Sequence, residues 1–293
     1  MRRLSLCVAA LVGMVATVLS ASASVAAASQ LTVSSGSNER SPEARLAETL
    51  NYVALGDSYS SGVGAPPYDL DASCQRSSRS YPPLWSAEHH STSFAFAACS
   101  GTKTADVFLT QISALRASTD LVTITIGGND AGFGPVLGTC TVATSDRTCN
   151  AAVDAAEAFE RFVLPSRLTR TYTAIRRAAP HARVIVLGYP RLFEFAPSCT
   201  DPHAPNLSRR RKLNHGADVL NDVIHQATSQ QSGFSFADVR DRFAGHGVCS
   251  ADPWINGPSV PTSLGPYHPN QAGYRGGYVF ALNAATARGA AAA

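Results

Sequence analysis

Short apolar, β-branched runs alternate along this chain with longer stretches in which apolar positions recur at helical spacing. The runs are Asn51 to Leu55, Ser93 to Ala97, Leu121 to Ile126, Arg183 to Leu187 and Phe234 to Val239. Leu121 to Ile126 and Val184 to Leu187 are almost unbroken, as strands covered on both faces are. Helical patterns fill the gaps at Tyr81 to His89, Ala105 to Leu115, Asp154 to Ala178, Ser208 to Gln230 and Gln271 to Ala284. Ser208 reads as the N-cap of the fourth, and Pro269 stands just ahead of the fifth. Strand following helix throughout predicts an α/β fold, a parallel sheet between helix layers, with ligands in the loops at the carboxyl ends of the strands.

The two ends of the chain read differently. Met1-Arg2-Arg3, the apolar stretch Leu4 to Leu19 and the small residues Ala21-Ser22-Ala23 and Ala26-Ala27-Ala28 predict a cleaved signal peptide over 1–28. Residues 29–49 are polar and aperiodic, a flexible leader; 50–284 read as one domain, and 285–293 as a low-complexity tail. Cleavage changes two counts. Arg2 and Arg3 leave from a segment without acids, taking the formal net charge from +3 to +1, and Cys7 leaves an even six of seven cysteines. Six cysteines in an exported chain imply disulfides and an extracellular location. No basic stripe with interleaved aromatics supports nucleic-acid binding; Arg209-Arg210-Arg211-Lys212 reads as the solvated start of a helix. No second apolar stretch could anchor the chain in a membrane. A monomer is the default.

Candidate chemistry sits in the loops after the strands. Gly56-Asp57-Ser58 follows the first, where a serine at a strand-to-helix turn can expose its hydroxyl beside helix N–H groups. Cys99-Ser100-Gly101-Thr102 follows the second. Gly127-Gly128-Asn129-Asp130 follows the third, with an amide able to donate to an oxyanion. Tyr267-His268-Pro269-Asn270 sets a histidine in a proline-bracketed loop before the last helix. His89, His90, His181, His225 and His246 read as surface or packing residues, and no metal-ligand spacing occurs.

Taken in order, Gly56-Asp57-Ser58, Gly101, Gly128-Asn129-Asp130 and His268-Pro269 resemble the four blocks of the SGNH (GDSL-type) hydrolase family. Tyr52 to Ser60, Ala98 to Gly101, Asp120 to Phe133 and Leu187 to Pro190 are similar to its secreted Streptomyces-type lipases and esterases in particular. The resemblance implies a flavodoxin-like α/β/α sandwich with a parallel five-stranded sheet. It implies Ser58 as nucleophile, His268 as base, and an oxyanion hole from the Ser58 and Gly101 N–H groups and the Asn129 side chain. Neither metal nor organic cofactor is needed. Many members carry an acid three residues before the histidine, where this chain has Gly265. The expectation is a Ser-His dyad in which the Gly265 carbonyl orients His268, with Asp252 the nearest candidate if a carboxylate assists. Six cysteines can pair in 15 ways; the resemblance favours Cys74–Cys99, Cys140–Cys149 and Cys199–Cys249, the first steadying Gly101.

The α/β-hydrolase elbow G-x-S-x-G fails here, since Ser60 stands where the second glycine belongs. The expected substrate is a lipid or other acyl ester, with phospholipid and short-chain or carbohydrate esters as alternatives and a disulfide-stapled binding module as the non-enzymatic one. Phe133, Pro135, Val136, Leu137, Phe193, Phe195 and Trp254 are candidates for lining an acyl cleft.

Overall fold

Each of the five apolar runs forms a strand: β1 (Asn51–Gly56), β2 (Ser93–Phe96), β3 (Leu121–Thr125), β4 (Arg183–Leu187) and β5 (Phe234–Ala237). They pair in parallel in the order β2-β1-β3-β4-β5. The computed structural model describes residues 50–290, so the signal-peptide and leader readings lie outside the described residues. Every residue of β3 is buried, while β2 and β5 at the two edges are mostly half-exposed. This gradient is why β3 and β4 read as unbroken apolar runs.

From β1 the chain moves outward to β2, then returns past β1 to β3 and continues the other way. That reversal opens a crevice beyond the carboxyl ends of β1 and β3, where Gly56 is in register with Thr125. The helices that follow are α1 (Ser58–Ser61), α2 (Tyr81–Glu88), α3 (Phe133–Val142), α4 (Asp146–Phe162), α5 (Leu164–Ala178), α6 (Leu207–Ser229) and α7 (Phe280–Ala290).

Several sequence expectations are corrected. The single helix read over Asp154 to Ala178 is two, α4 and α5, separated at Val163 because Pro165 has no N–H to carry a continuous ladder. Helix α3 was not foreseen, since Gly134, Pro135 and Gly138 hide its pattern. Asn206, not Ser208, caps α6, its Oδ1 accepting from the Arg209 N–H at 3.0 Å. The basic run there is only partly solvated: Arg209 and Arg210 are buried, Arg211 is exposed and Lys212 half-buried. The Arg209 guanidinium donates to the Cys140 and Ala143 carbonyls at the end of α3, and that of Arg210 to Glu194 and Ala196. Arg209 thus caps the carboxyl end of α3, and Arg210 ties down the loop after β4. The tail read from 285 is helical to Ala290, with the Ala285 and Thr286 carbonyls accepting from Arg183.

Three disulfides, Cys74–Cys99, Cys140–Cys149 and Cys199–Cys249, all join segments on the carboxyl side of the sheet. A buried side chain holds the end of β1 on the same side. Gln111 accepts from the Gly56 N–H at 2.8 Å and donates to the Gly56 carbonyl at 2.9 Å and to Thr102 Oγ1 at 3.2 Å. The Gly56 carbonyl has a second partner in the Cys99 N–H, whereas its N–H relies on Gln111. Gln111→Leu should therefore cost ~1–3 kcal/mol, the penalty of one buried unpaired donor, read from the shift of the urea midpoint. An unchanged midpoint would show that Gly56 does not depend on this contact.

Candidate active site

The turn that leaves β1 admits only glycine at position 56. Its φ is +124°, and a Cβ there would lie 2.5 Å from the Thr125 carbonyl oxygen. The chain then turns into α1 with Asp57 as N-cap, its Oδ1 accepting from the Tyr59 N–H at 3.0 Å. Ser58 is the first helical residue, so its own N–H has no acceptor within the helix. With the Asp57 carboxylate as the cap, the Ser58 hydroxyl is left free to point elsewhere.

Asp57 is only 1% exposed. Thr125 Oγ1 donates to its Oδ1 at 2.8 Å and Tyr189 Oη to its Oδ2 at 2.5 Å, while Tyr189 Oη accepts from the Gly128 N–H at 3.2 Å. One carboxylate thus links the loops after β1, β3 and β4. Asn221, fully buried, fixes Tyr189 by pairing with both its N–H and its carbonyl, each at 2.9 Å. Burial raises the Asp57 carboxyl from 3.8 to about 6, and the hydrogen bonds from Tyr189, Thr125 and Tyr59 hold it from rising further.

His268 Nε2 lies 2.8 Å from Ser58 Oγ, and its Nδ1 lies 2.9 Å from the Pro266 carbonyl. The carbonyl at hydrogen-bond distance from Nδ1 is that of Pro266, one residue beyond the Gly265 carbonyl that the sequence suggested, and both pull the imidazole pKa upward. The Gly265 carbonyl is occupied in closing the turn, accepting from the His268 N–H at 3.2 Å. No side chain could stand at 265: with φ at +63°, a Cβ would meet Val63 Cγ1 at 2.5 Å and the Gly64 nitrogen at 2.7 Å. Asp252 is turned away, exposed and 3.3 Å from His246 Nδ1. Among the described residues no carboxylate is hydrogen-bonded to His268. Tyr59 packs against the imidazole at 4.8 Å and donates to the Tyr267 carbonyl at 2.6 Å. Burial pushes the His268 imidazole down to about 4, against the upward pull of the Pro266 and Gly265 carbonyls, so Nε2 is an unprotonated acceptor at neutral pH.

Ser58, His268, Gly101 and Asn129 line one cavity of about 210 Å³, together with Phe133, Leu137, Tyr189 and Tyr267. Asn129 Nδ2 donates to the Thr102 carbonyl at 3.0 Å, which sets the amide's orientation. The next residue, Asp130, anchors that loop through the Thr104 N–H at 2.8 Å, Thr104 Oγ1 at 2.7 Å and Arg167 at 3.2 Å. Gly101 follows the Cys74–Cys99 bridge, and the Ser100 N–H donates to the Cys74 carbonyl at 3.0 Å. A hydroxyl facing a neutral imidazole, with amide donors nearby and apolar walls, can transfer an acyl group through a covalent intermediate.

Of the proposed cleft residues, Phe133 and Leu137 line the cavity. Val136 is core, Phe193 packs behind Tyr267, Phe195 lies under the Arg211 guanidinium, and Trp254 stacks on His246. Pro135 is exposed on α3. Among the described residues no group of side chains could hold a metal ion. The sequence reading quoted Asp57 and Tyr189 inside its motifs without giving them a task, and it passed over Gln111 and Asn221; only the pairing of buried polar groups identifies them.

Comparison with known proteins agrees with this geometry. Residues 54–275 match the profile of the GDSL-like lipase/acylhydrolase family. The chain is 45% identical over 242 residues to a lipase of Streptomyces rimosus, covering 82% of this chain and 88% of that one. It is 43% identical over 235 residues to Lipase 1 of Streptomyces coelicolor, covering 80% and 86%. The crystal structure of the extracellular lipase from S. rimosus superposes with a TM-score of 0.76 at 43% identity, covering 80% of this chain and 99% of that one. That of phospholipase A1 from Streptomyces albidoflavus NA297 does so with 0.77 at 43%, again covering 80% and 99%.

The raised Asp57 carboxyl has a measurable effect on stability. The folded chain holds this proton more tightly than the unfolded one, so the contribution is full below about pH 4 and is lost as pH rises through about 6. Asp57→Asn, which preserves shape, should flatten that stretch of a plot of urea midpoint against pH. The same slope in both proteins would assign the linkage to another group.

Proposed function

The chain belongs to the GDSL-like lipase/acylhydrolase family, and we propose that it hydrolyses acyl esters of lipids with Ser58 as nucleophile and His268 as general base. The observation that carries this reading is the 2.8 Å contact between Ser58 Oγ and His268 Nε2 at a cavity walled by Phe133, Leu137 and Tyr267. His268 Nε2 takes the Ser58 proton as Oγ bonds to the ester carbonyl carbon. The oxyanion is held by the Ser58 and Gly101 N–H groups and the Asn129 amide. His268 returns the proton to the departing alcohol, then draws one from water as its oxygen bonds to the acyl carbon, and gives that proton to Ser58 Oγ as the acyl–serine bond breaks and the acid is released. The Pro266 carbonyl holds the Nδ1–H, and so the tautomer, throughout; the machinery is a dyad. Three disulfides, the absence among the described residues of a helix able to cross a membrane, and likeness to an extracellular lipase support an exported enzyme. A glycerophospholipid is the second reading for the substrate, favoured by the 43% identity to a phospholipase A1.

Ser58→Ala should lower kcat on a p-nitrophenyl ester on the order of 10⁴- to 10⁶-fold, and Asn129→Ala about 10²- to 10³-fold. Asp252→Asn should stay within about twofold of wild type; a loss comparable to that of Ser58→Ala would replace the dyad with a triad. Because the base stays neutral down to about 4, kcat/KM should be level through neutral pH and fall only as pH drops through about 4. An acid limb centred near 6.5 would contradict that environment for His268. Parallel assays on a triacylglycerol and a phosphatidylcholine separate the two substrate readings, and no hydrolysis by correctly oxidised wild type would leave only a binding module.

A further inference from the structure

One wall of the cavity lies outside the reaction just described. Tyr267 has a φ of +64°, and its backbone is held on both sides: its N–H donates to the Asn256 carbonyl at 2.7 Å and its carbonyl accepts from Tyr59 Oη at 2.6 Å. The ring rests edge-on against Phe193 with centroids 6.0 Å apart. Its hydroxyl reaches across to Thr141 Oγ1 on α3. Thr141 Oγ1 has a single proton, which goes to the Leu137 carbonyl at 2.8 Å, so Tyr267 is the donor between the two hydroxyls. Thr141 follows Leu137 by one helical turn on the same face, and Leu137 lines the cavity. The opposite wall is equally fixed, by the Cys140–Cys149 bridge and by Arg209 on the Cys140 and Ala143 carbonyls.

We propose that the Tyr267–Thr141 hydrogen bond is a latch that closes the acyl pocket on the side of Leu137 and sets the longest acyl chain cleaved efficiently. The inference rests on the acyl-ester reading of the site. Two walls anchored independently meet through this side-chain bond, so breaking it lengthens the pocket on that side. The cavity of about 210 Å³ has Leu137 and Tyr267 among its lining residues, so this bond ties together two elements that wall it.

The test is a series of p-nitrophenyl esters from C4 to C16 with wild type, Thr141→Val, Tyr267→Phe and Thr141→Ser. Wild type should lose kcat/KM toward the long end of the series. The ratio of kcat/KM at C14 to that at C8 should rise at least threefold in Thr141→Val and in Tyr267→Phe, mainly through a lower KM for the long ester. Their combination should add little, since both remove one bond. Thr141→Ser, which keeps the hydroxyl, should hold the wild-type ratio. Each ratio is taken within one preparation, so partial misfolding does not alter it. Ratios equal to wild type in both hydroxyl-deleting variants would overturn the latch while leaving the esterase reading intact. Wild type inactive on every ester would overturn both.

Discussion

A carboxylate sealed inside the protein organises the site. Asp57 stands where β1 leaves the sheet, and everything it accepts from belongs to a different piece of the crevice: Tyr59 in α1, Thr125 at the end of β3, Tyr189 after β4. Removing an ionised group from water costs several kcal/mol unless hydrogen bonds replace the lost hydration. The fold meets that requirement with groups that must approach from three loops at once. Satisfying the charge and assembling the crevice are then the same event. Through Tyr189 the arrangement extends to Gly128, the residue before Asn129.

Other constraints act on the same edge of the sheet. Gln111 holds Gly56, Tyr274 Oη donates to the Val63 carbonyl at 2.8 Å beside α1, and Tyr59 ties the His268 loop down. The disulfides fall in the same loops. These contacts fix Ser58, Asn129 and His268 in place with no ligand bound, which is where a hydrolytic site gains most, since groups already aimed need no reorganisation during reaction.

Legibility in the sequence followed the range of the interactions. The strands were readable because burial on both faces leaves a local apolar signature, and Ser58, Gly101, Asn129 and His268 because each follows a strand or precedes a helix in a short recognisable motif. What escaped depends on distant partners. Nothing local distinguishes Gln111 from a surface glutamine, since its acceptor and donor on Gly56 lie 55 residues away. Arg209 and Arg210 read as solvated because charge is a poor guide where carbonyls of a distant helix end or loop accept from the guanidinium. The choice of Pro266 over Gly265 turned on a left-handed glycine whose carbonyl was already engaged, a detail of φ and not of residue type.

Ser58 and His268 meet although 210 residues separate them. Ser58 lies in the first connection of the sheet and His268 beyond its last strand, so a chain lacking its C-terminal quarter leaves Ser58 without its imidazole partner. Bringing such remote segments together costs loop-closure entropy that only the intervening sheet and helices can offset. The pair therefore depends on the whole domain between its two ends, and damage far from either residue can part them.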